Sequence, residues 1–306
     1  MQTNMNIQRL GASITRAASL QTYYTVRFLV DRELVPTAYQ AYAYFRWVDD
    51  WLDEPTRERA ERLEFLKRQA SLIEACYRGG AVKAAAPQER MVVDLISRGG
   101  QADSGLQAYI RNMMAVMAFD AERRGRLISA QELSHYQRSL AVAVTEALHY
   151  FIGHRSASPH GPARYLAAEG AHIAHMLRDA VEDNALGYFN IPREYVDSNG
   201  ICPQDTDSHA YQVWVRSRVQ LARSYFRAGR CYLAQVQSRR CRLAGYAYIA
   251  RFETVLDSIE RDHYRLRREY RAAGSPLAGA LMGWSVVSSA LYDQGSVADP
   301  GTLIVR

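Results

Sequence analysis

A chain of 306 residues that is 48% hydrophobic and 23% charged holds enough apolar material to fold around a core, which excludes a disordered tail or a low-complexity linker. Its formal net charge of +6 suits anionic partners, small polyphosphates among them, but no nucleic-acid motif accompanies that charge, so no nucleic acid is expected as a partner. Four cysteines, Cys76, Cys202, Cys231 and Cys241, form no CxxC pair, which fits a reducing compartment better than a disulfide framework.

The first twenty residues lack the apolar stretch of a secretory signal, and no later run supplies about 20 apolar residues for a membrane crossing. A cytoplasmic location is therefore expected, with peripheral membrane contact left open. Apolar residues recur at helical spacing almost throughout. In chain order the predicted helices cover residues 5–31, 35–53, 56–78, 87–98, 103–122, 129–152, 162–187, 208–237, 240–272 and 276–292. Strand-like alternation is scarce, so the pattern predicts an all-α chain. RGGAVKAAAP and GHRSASPHGP read as interhelical loops, and NIPREYVDSNGICPQDTDS as a loop covering a site. The stretch Leu277 to Tyr292 reads as a final packing helix or a membrane-facing patch, too short and interrupted to span a bilayer.

The helix predicted over 35–53 ends in RWVDDWLDE, where Asp49 and Asp53 share a face and Asp50 flanks it. The helix predicted over 162–187 repeats that spacing in RDAVEDN with Asp179 and Asp183, Glu182 lying beside the latter. Like charges so placed repel unless solvent, arginine or a metal compensates them. Mg²⁺ suits such faces, because one or two carboxylates suffice while water and phosphate complete its octahedron. Two facing sets would hold divalent ions and, through them, a diphosphate; solvated helix faces are the plain alternative for either set alone.

FRWVDDWLDE and LRDAVEDNALGYFNIPRE, together with ASLQTYYTVRFLVDRELVPTAYQAYAY before the first cluster, resemble the squalene/phytoene synthase family. That resemblance implies an all-α, single-domain isoprenoid synthase fold with a central substrate cavity, residues 1–306 forming one helical domain with 1–15 and 293–306 as its terminal segments. It implies Mg²⁺-dependent head-to-head condensation of two allylic prenyl diphosphates, such as farnesyl or geranylgeranyl diphosphate, through a cyclopropyl diphosphate intermediate. By the same resemblance Asp49, Asp50 and Asp53 would hold metal at one diphosphate, and Asp179, Glu182 and Asp183 at the other. Arg46 and Arg178 would orient the phosphates, as guanidinium groups do. Arg46 is also placed to pair within its own helix.

The family's early phosphate-contacting segment is matched loosely by Ser19, Gln21, Tyr24 and Arg27, with local capping as the competing role for Ser19. Asp120 stands at an intervening acidic position of the family, or pairs with Arg123 or Arg124. The arginine-tyrosine feature that customarily follows is here Arg126-Leu127, which removes a hydroxyl. A second departure is His172 and His175, where the family commonly carries Gln and Asn; with Asp179 they form one stripe able to orient diphosphate or transfer a proton. Met113, Met114, Met117 and Phe119, with Tyr188, Phe189, Tyr225 and Phe226, would line an apolar tunnel or simply pack the core.

The product, squalene-, dehydrosqualene-, hydroxysqualene- or phytoene-like, is left open, as is use of NADPH, which this family binds without a GxGxxG motif. Two other readings stand beside coupling: a class I terpene cyclase acting on one prenyl diphosphate, and a noncatalytic assembly or membrane-associated protein.

Overall fold

The computed structural model describes residues 2–80, 82, 84–99, 104–154, 156–268 and 270; the helix expected over 276–292 lies outside them. The described residues contain eleven α-helices and no strand: α1 Gln2–Ala18, α2 Leu20–Leu29, α3 Val35–Asp53, α4 Arg59–Tyr77, α5 Pro87–Gly99, α6 Gly105–Arg123, α7 Ala130–Phe151, α8 Leu166–Leu186, α9 Arg193–Asn199, α10 His209–Ala234 and α11 Arg239–Arg261. Short 3-10 turns precede α3 and α8. No described helix is long and apolar enough to cross a membrane.

Serine starts many of these helices. The hydroxyls of Ser19, Ser104, Ser129, Ser208 and Ser238 accept from the backbone N–H three residues on, at the heads of α2, α6, α7, α10 and α11. Ser19 also corrects the expected helix over 5–31. Its backbone is extended (φ −155°), so the chain breaks there into α1 and α2.

Three further boundaries differ from the pattern reading. Residues 162–165 form a 3-10 turn, so α8 begins at Leu166. The expected covering loop contains the short helix α9 between Pro192 and Gly200. The helix expected over 240–272 stops at Arg261, where His263 and Tyr264 take positive φ (54° and 65°).

α8 lies at the centre, packed on α7, α10 and α11. Half of its buried residues are small, Ala168, Gly170, Ala171, Ala174 and Ala180, which lets α10 approach closely. A Cβ on Gly229 of α10 would fall 2.7 Å from Ala167 Cβ and 3.0 Å from its Cα, contacts that only a backbone shift relieves. Gly229→Ala is therefore expected to lower stability by about 1–3 kcal/mol despite alanine's better helix propensity, which a urea titration would measure.

Candidate diphosphate site

The chemistry-bearing residues collect where helices end. Asp49, Asp50 and Asp53 occupy the last turns of α3, Asp120 the last turn of α6, and Glu182 and Asp183 the last turns of α8. Helix C-termini carry partial negative charge, so carboxylates there lack the favourable dipole they would find at the opposite end. Gly187 (φ +85°) turns the chain out of α8, and its carbonyl accepts from Gly125 N–H at 2.8 Å, pinning the end of α8 to the end of α6.

A polar chain, buried at Arg123 and Asn190, joins the second acidic cluster to α6. Arg123, 5% exposed, donates through Nε to Asp120 Oδ1 at 2.6 Å and through Nη1 to Asn190 Oδ1 at 2.9 Å. Asn190 Nδ2 in turn donates to Asp183 Oδ2 at 2.8 Å. Tyr136 on α7 donates its hydroxyl to Asp120 Oδ2 at 2.9 Å. The guanidinium of Arg123 also lies 4.8 Å from the Tyr136 ring centre and 5.1 Å from that of Tyr188.

Electrostatics extend this network to α3. Burial, then the charge of Asp53 and, less strongly, that of Asp120, pushes the Asp49 carboxyl up to about 6 against the pull of Arg46. Burial and the charge of Asp120 likewise raise Asp53. Asp120 itself is raised by burial, opposed by Arg123 and Tyr136. Burial, then Asp53 and Asp120, raises the Tyr188 phenol. On α8, burial and Asp179 push Asp183 up to about 6. Asp179 goes the other way: burial opposes it, but hydrogen bonds from Arg178 (Nε 2.6 Å, Nη2 2.7 Å) and His175 (Nε2 2.9 Å) hold it well below the ordinary carboxylate range.

The arginines expected at phosphate are paired within their own helices. Arg46 donates to Asp49 Oδ2 at 3.2 Å and also bonds Asp50, and Arg178 grips Asp179. Glu182 is exposed. His172 is 5% exposed, and neither ring nitrogen has a partner. Ser19 caps α2, while Gln21, Tyr24 and Arg27 are exposed along it; no hydrogen bond or ion pair joins any of the four to an acidic cluster among the described residues. Tyr24 stacks instead on Phe28, ring centres 6.0 Å apart. Of the tunnel residues, Phe226 is fully buried beside Gly170, and Phe119 packs on Tyr136 at 5.2 Å. Met113, Met114 and Tyr225 are partly buried against the main core.

Sequence reasoning singled out neither Tyr136 nor Asn190, and it treated Arg123 as a local partner only. No local signal marks Tyr136. Asn190 sits within GYFNIPRE, a segment that carried the family resemblance.

Among the described residues no three Asp, Glu, His or Cys side chains converge into a ready-made metal cage. Mg²⁺ does not require one. Asp49, Asp53 and Asp183, raised by burial and then by neighbouring carboxylates at helix C-termini, are only partly compensated by arginine, and that donor chemistry fits a hard divalent cation supported by water and phosphate oxygens.

A family model described as squalene/phytoene synthase matches residues 15–276. Among curated proteins no match was found. Among solved structures the chain is similar to a squalene synthase from Alicyclobacillus acidocaldarius, with 20% identity and a TM-score of 0.67 over 86% of this chain and 97% of that one. It is also similar to a dehydrosqualene synthase in complex with ligand, with 15% identity and a TM-score of 0.72 over 96% and 99% of the two chains. At such identities these likenesses establish the all-α fold.

Proposed function

Since the chain belongs to the squalene/phytoene synthase family and is a prenyltransferase of that type, we propose that it joins two allylic prenyl diphosphates head to head through a cyclopropyl diphosphate intermediate. The observation that carries this reading is the chain Asp120, Arg123, Asn190, Asp183, which ties the end of α6, beside the first cluster, to the second cluster. Two acidic sets so linked suit two diphosphates better than one.

Asp49, Asp50 and Asp53 would hold Mg²⁺ on one side, and Asp179, Glu182 and Asp183 on the other. Bound there, the metal neutralises the diphosphate and eases its departure. Arg46 and Arg178 act by exchanging their intrahelical carboxylates for phosphate oxygens when substrate arrives. Arg123 and Asn190 fix the Asp183 carboxylate in one orientation, and Tyr136 does the same for Asp120. His175 orients Asp179 through its 2.9 Å contact. Aromatic rings around Arg123 wall the site and keep water from the cation formed as the first diphosphate leaves. The substrates are farnesyl or geranylgeranyl diphosphate, and any NADPH would enter only at the terminal step.

Incubation of the full-length protein with Mg²⁺ and each diphosphate, with and without NADPH, tests this directly. Mass spectrometry should find a product containing two substrate skeletons, and chelation of Mg²⁺ should stop diphosphate release. A single-skeleton cyclic product would replace the coupling reading with the cyclase one.

A further inference from the structure

α2 is apolar on two sides. Val26 and Val30 turn inward, each 7% exposed, and Tyr23 stacks on Tyr39 of α3 with ring centres 5.3 Å apart. Leu20, Tyr24 and Phe28, spaced four residues apart, form a second stripe that is 58%, 50% and 69% exposed. A single exposed apolar side chain needs no explanation, but three of the six large hydrophobics exposed among the described residues fall on this one ten-residue helix. A fourth lies close by. Leu243 of α11 follows Arg240 by one turn, and the Arg240 guanidinium donates to Leu29 O at 3.2 Å and Val30 O at 3.4 Å, at the end of α2.

The charge around this stripe has one sign. Residues 1–30 contain Arg9, Arg16 and Arg27 and no Asp or Glu. Arg27 is exposed two turns after Leu20 on the same face, and Arg16 at the end of α1 and Arg239 at the head of α11 are exposed as well. The first acid in sequence, Asp31, is buried and bound by Arg240 and by the N–H groups of Gly153 and His154. Glu33 follows it on the 3-10 turn, next to Arg32. The acidic clusters belong to the other pole. Asp31 N–H donates to Phe151 O, so α2 ends against the C-terminus of α7, whereas Tyr136 meets Asp120 about 22 Å earlier along that helix.

We infer that this face docks on an anionic lipid bilayer. α2 lies in the headgroup region, Leu20, Tyr24 and Phe28 enter the acyl boundary, and Arg16, Arg27 and Arg239 meet lipid phosphates. The acidic pole then stays in water, away from a surface of its own sign. The inference does not depend on the coupling reading.

Charge and size select this occupant over two others. A second copy seated on the same stripe would set arginine against arginine, and four apolar side chains fall short of the roughly 800 Å² per partner that a stable interface buries. The chain beyond Tyr270 departs from the other end of α11. The Tyr270 hydroxyl accepts from Arg267 N–H, and Arg267 bonds Asp262 just past that helix, about 35 Å of rise from Arg239.

The test sediments the full-length protein with vesicles of phosphatidylcholine alone and of phosphatidylcholine mixed with phosphatidylglycerol, at low and high salt. Wild type should bind the mixed vesicles about tenfold more strongly than the neutral ones, and salt should weaken that binding. Leu20→Ser combined with Phe28→Ser should lose about tenfold or more on the mixed vesicles while its melting temperature stays at the wild-type value. Arg16→Gln combined with Arg239→Gln, which leaves the stripe intact, should weaken binding to the mixed vesicles alone and flatten its salt dependence. A wild type that binds neither vesicle, or both equally, overturns the inference. So does an apolar variant that binds as wild type does, since the attachment then lies elsewhere on the chain. A wild-type dimer that the apolar variant splits makes the stripe a contact between copies, and a variant that melts well below wild type shows the stripe covered by the chain itself; either result overturns the bilayer as its occupant.

Discussion

Asp183→Asn should lower turnover about a hundredfold to a thousandfold while making the metal-free protein more stable at pH 7. The two effects have one origin. Burial and Asp179 push the Asp183 carboxyl from 3.8 up to about 6, so the folded protein binds that proton more tightly than the unfolded chain does. Stability from this group is therefore full below about pH 4 and is lost as pH rises to about 6, by on the order of 2–3 kcal/mol. Asparagine keeps an oxygen to accept from Asn190 and removes the charge, so the variant escapes that loss. It also loses the charge expected to hold Mg²⁺. Melting curves in chelator at pH 5 and pH 7 should converge for the variant and diverge for wild type, with Mg²⁺ stabilising wild type more. Asp179→Asn should show the reverse sign. Its carboxyl is held low by Arg178 and His175, so it contributes stability above about pH 4 that is lost as pH falls, and neutralising it destabilises. If Asp183→Asn folds and releases diphosphate at the wild-type rate, the two-site reading is wrong.

The acidic clusters were legible because helical periodicity places residues four apart on one face, and that spacing survives folding unchanged. The all-α class was legible for the same reason. What escaped was whatever depends on residues meeting across the chain. Arg123 and Asn190 are separated by 67 positions, and Asp120 receives its hydroxyl from Tyr136 on the next helix. Boundaries failed where a helix ends without the usual marker: α11 stops before His263 and Tyr264, neither of which announces a left-handed turn as glycine would. At Ser19 the opposite happened, since a residue common enough in helices acts here as a cap. The seven-residue α9 is too short to show a period.

Arg123→Leu should be among the most damaging single changes, about 3 kcal/mol in stability, because it strands the half-buried Asp120 carboxylate and leaves the buried Asn190 oxygen without its donor. Leucine also forfeits the bond to Asn190, and with it the restraint on Asp183, so residual folded protein should turn over slowly. The contrast with a second change separates the two losses. Adding Asp120→Asn in the Arg123→Leu background removes the stranded charge while leaving an oxygen for the Tyr136 hydroxyl, and should recover about 2 kcal/mol. It should not recover activity, since Asn190 is still unanchored. Urea titrations of the two single variants and the double variant give the coupling. Strictly additive stabilities would mean that Asp120 and Arg123 do not act as a pair, and recovered turnover in the double variant would mean that Asp183 does not depend on Asn190 for its placement.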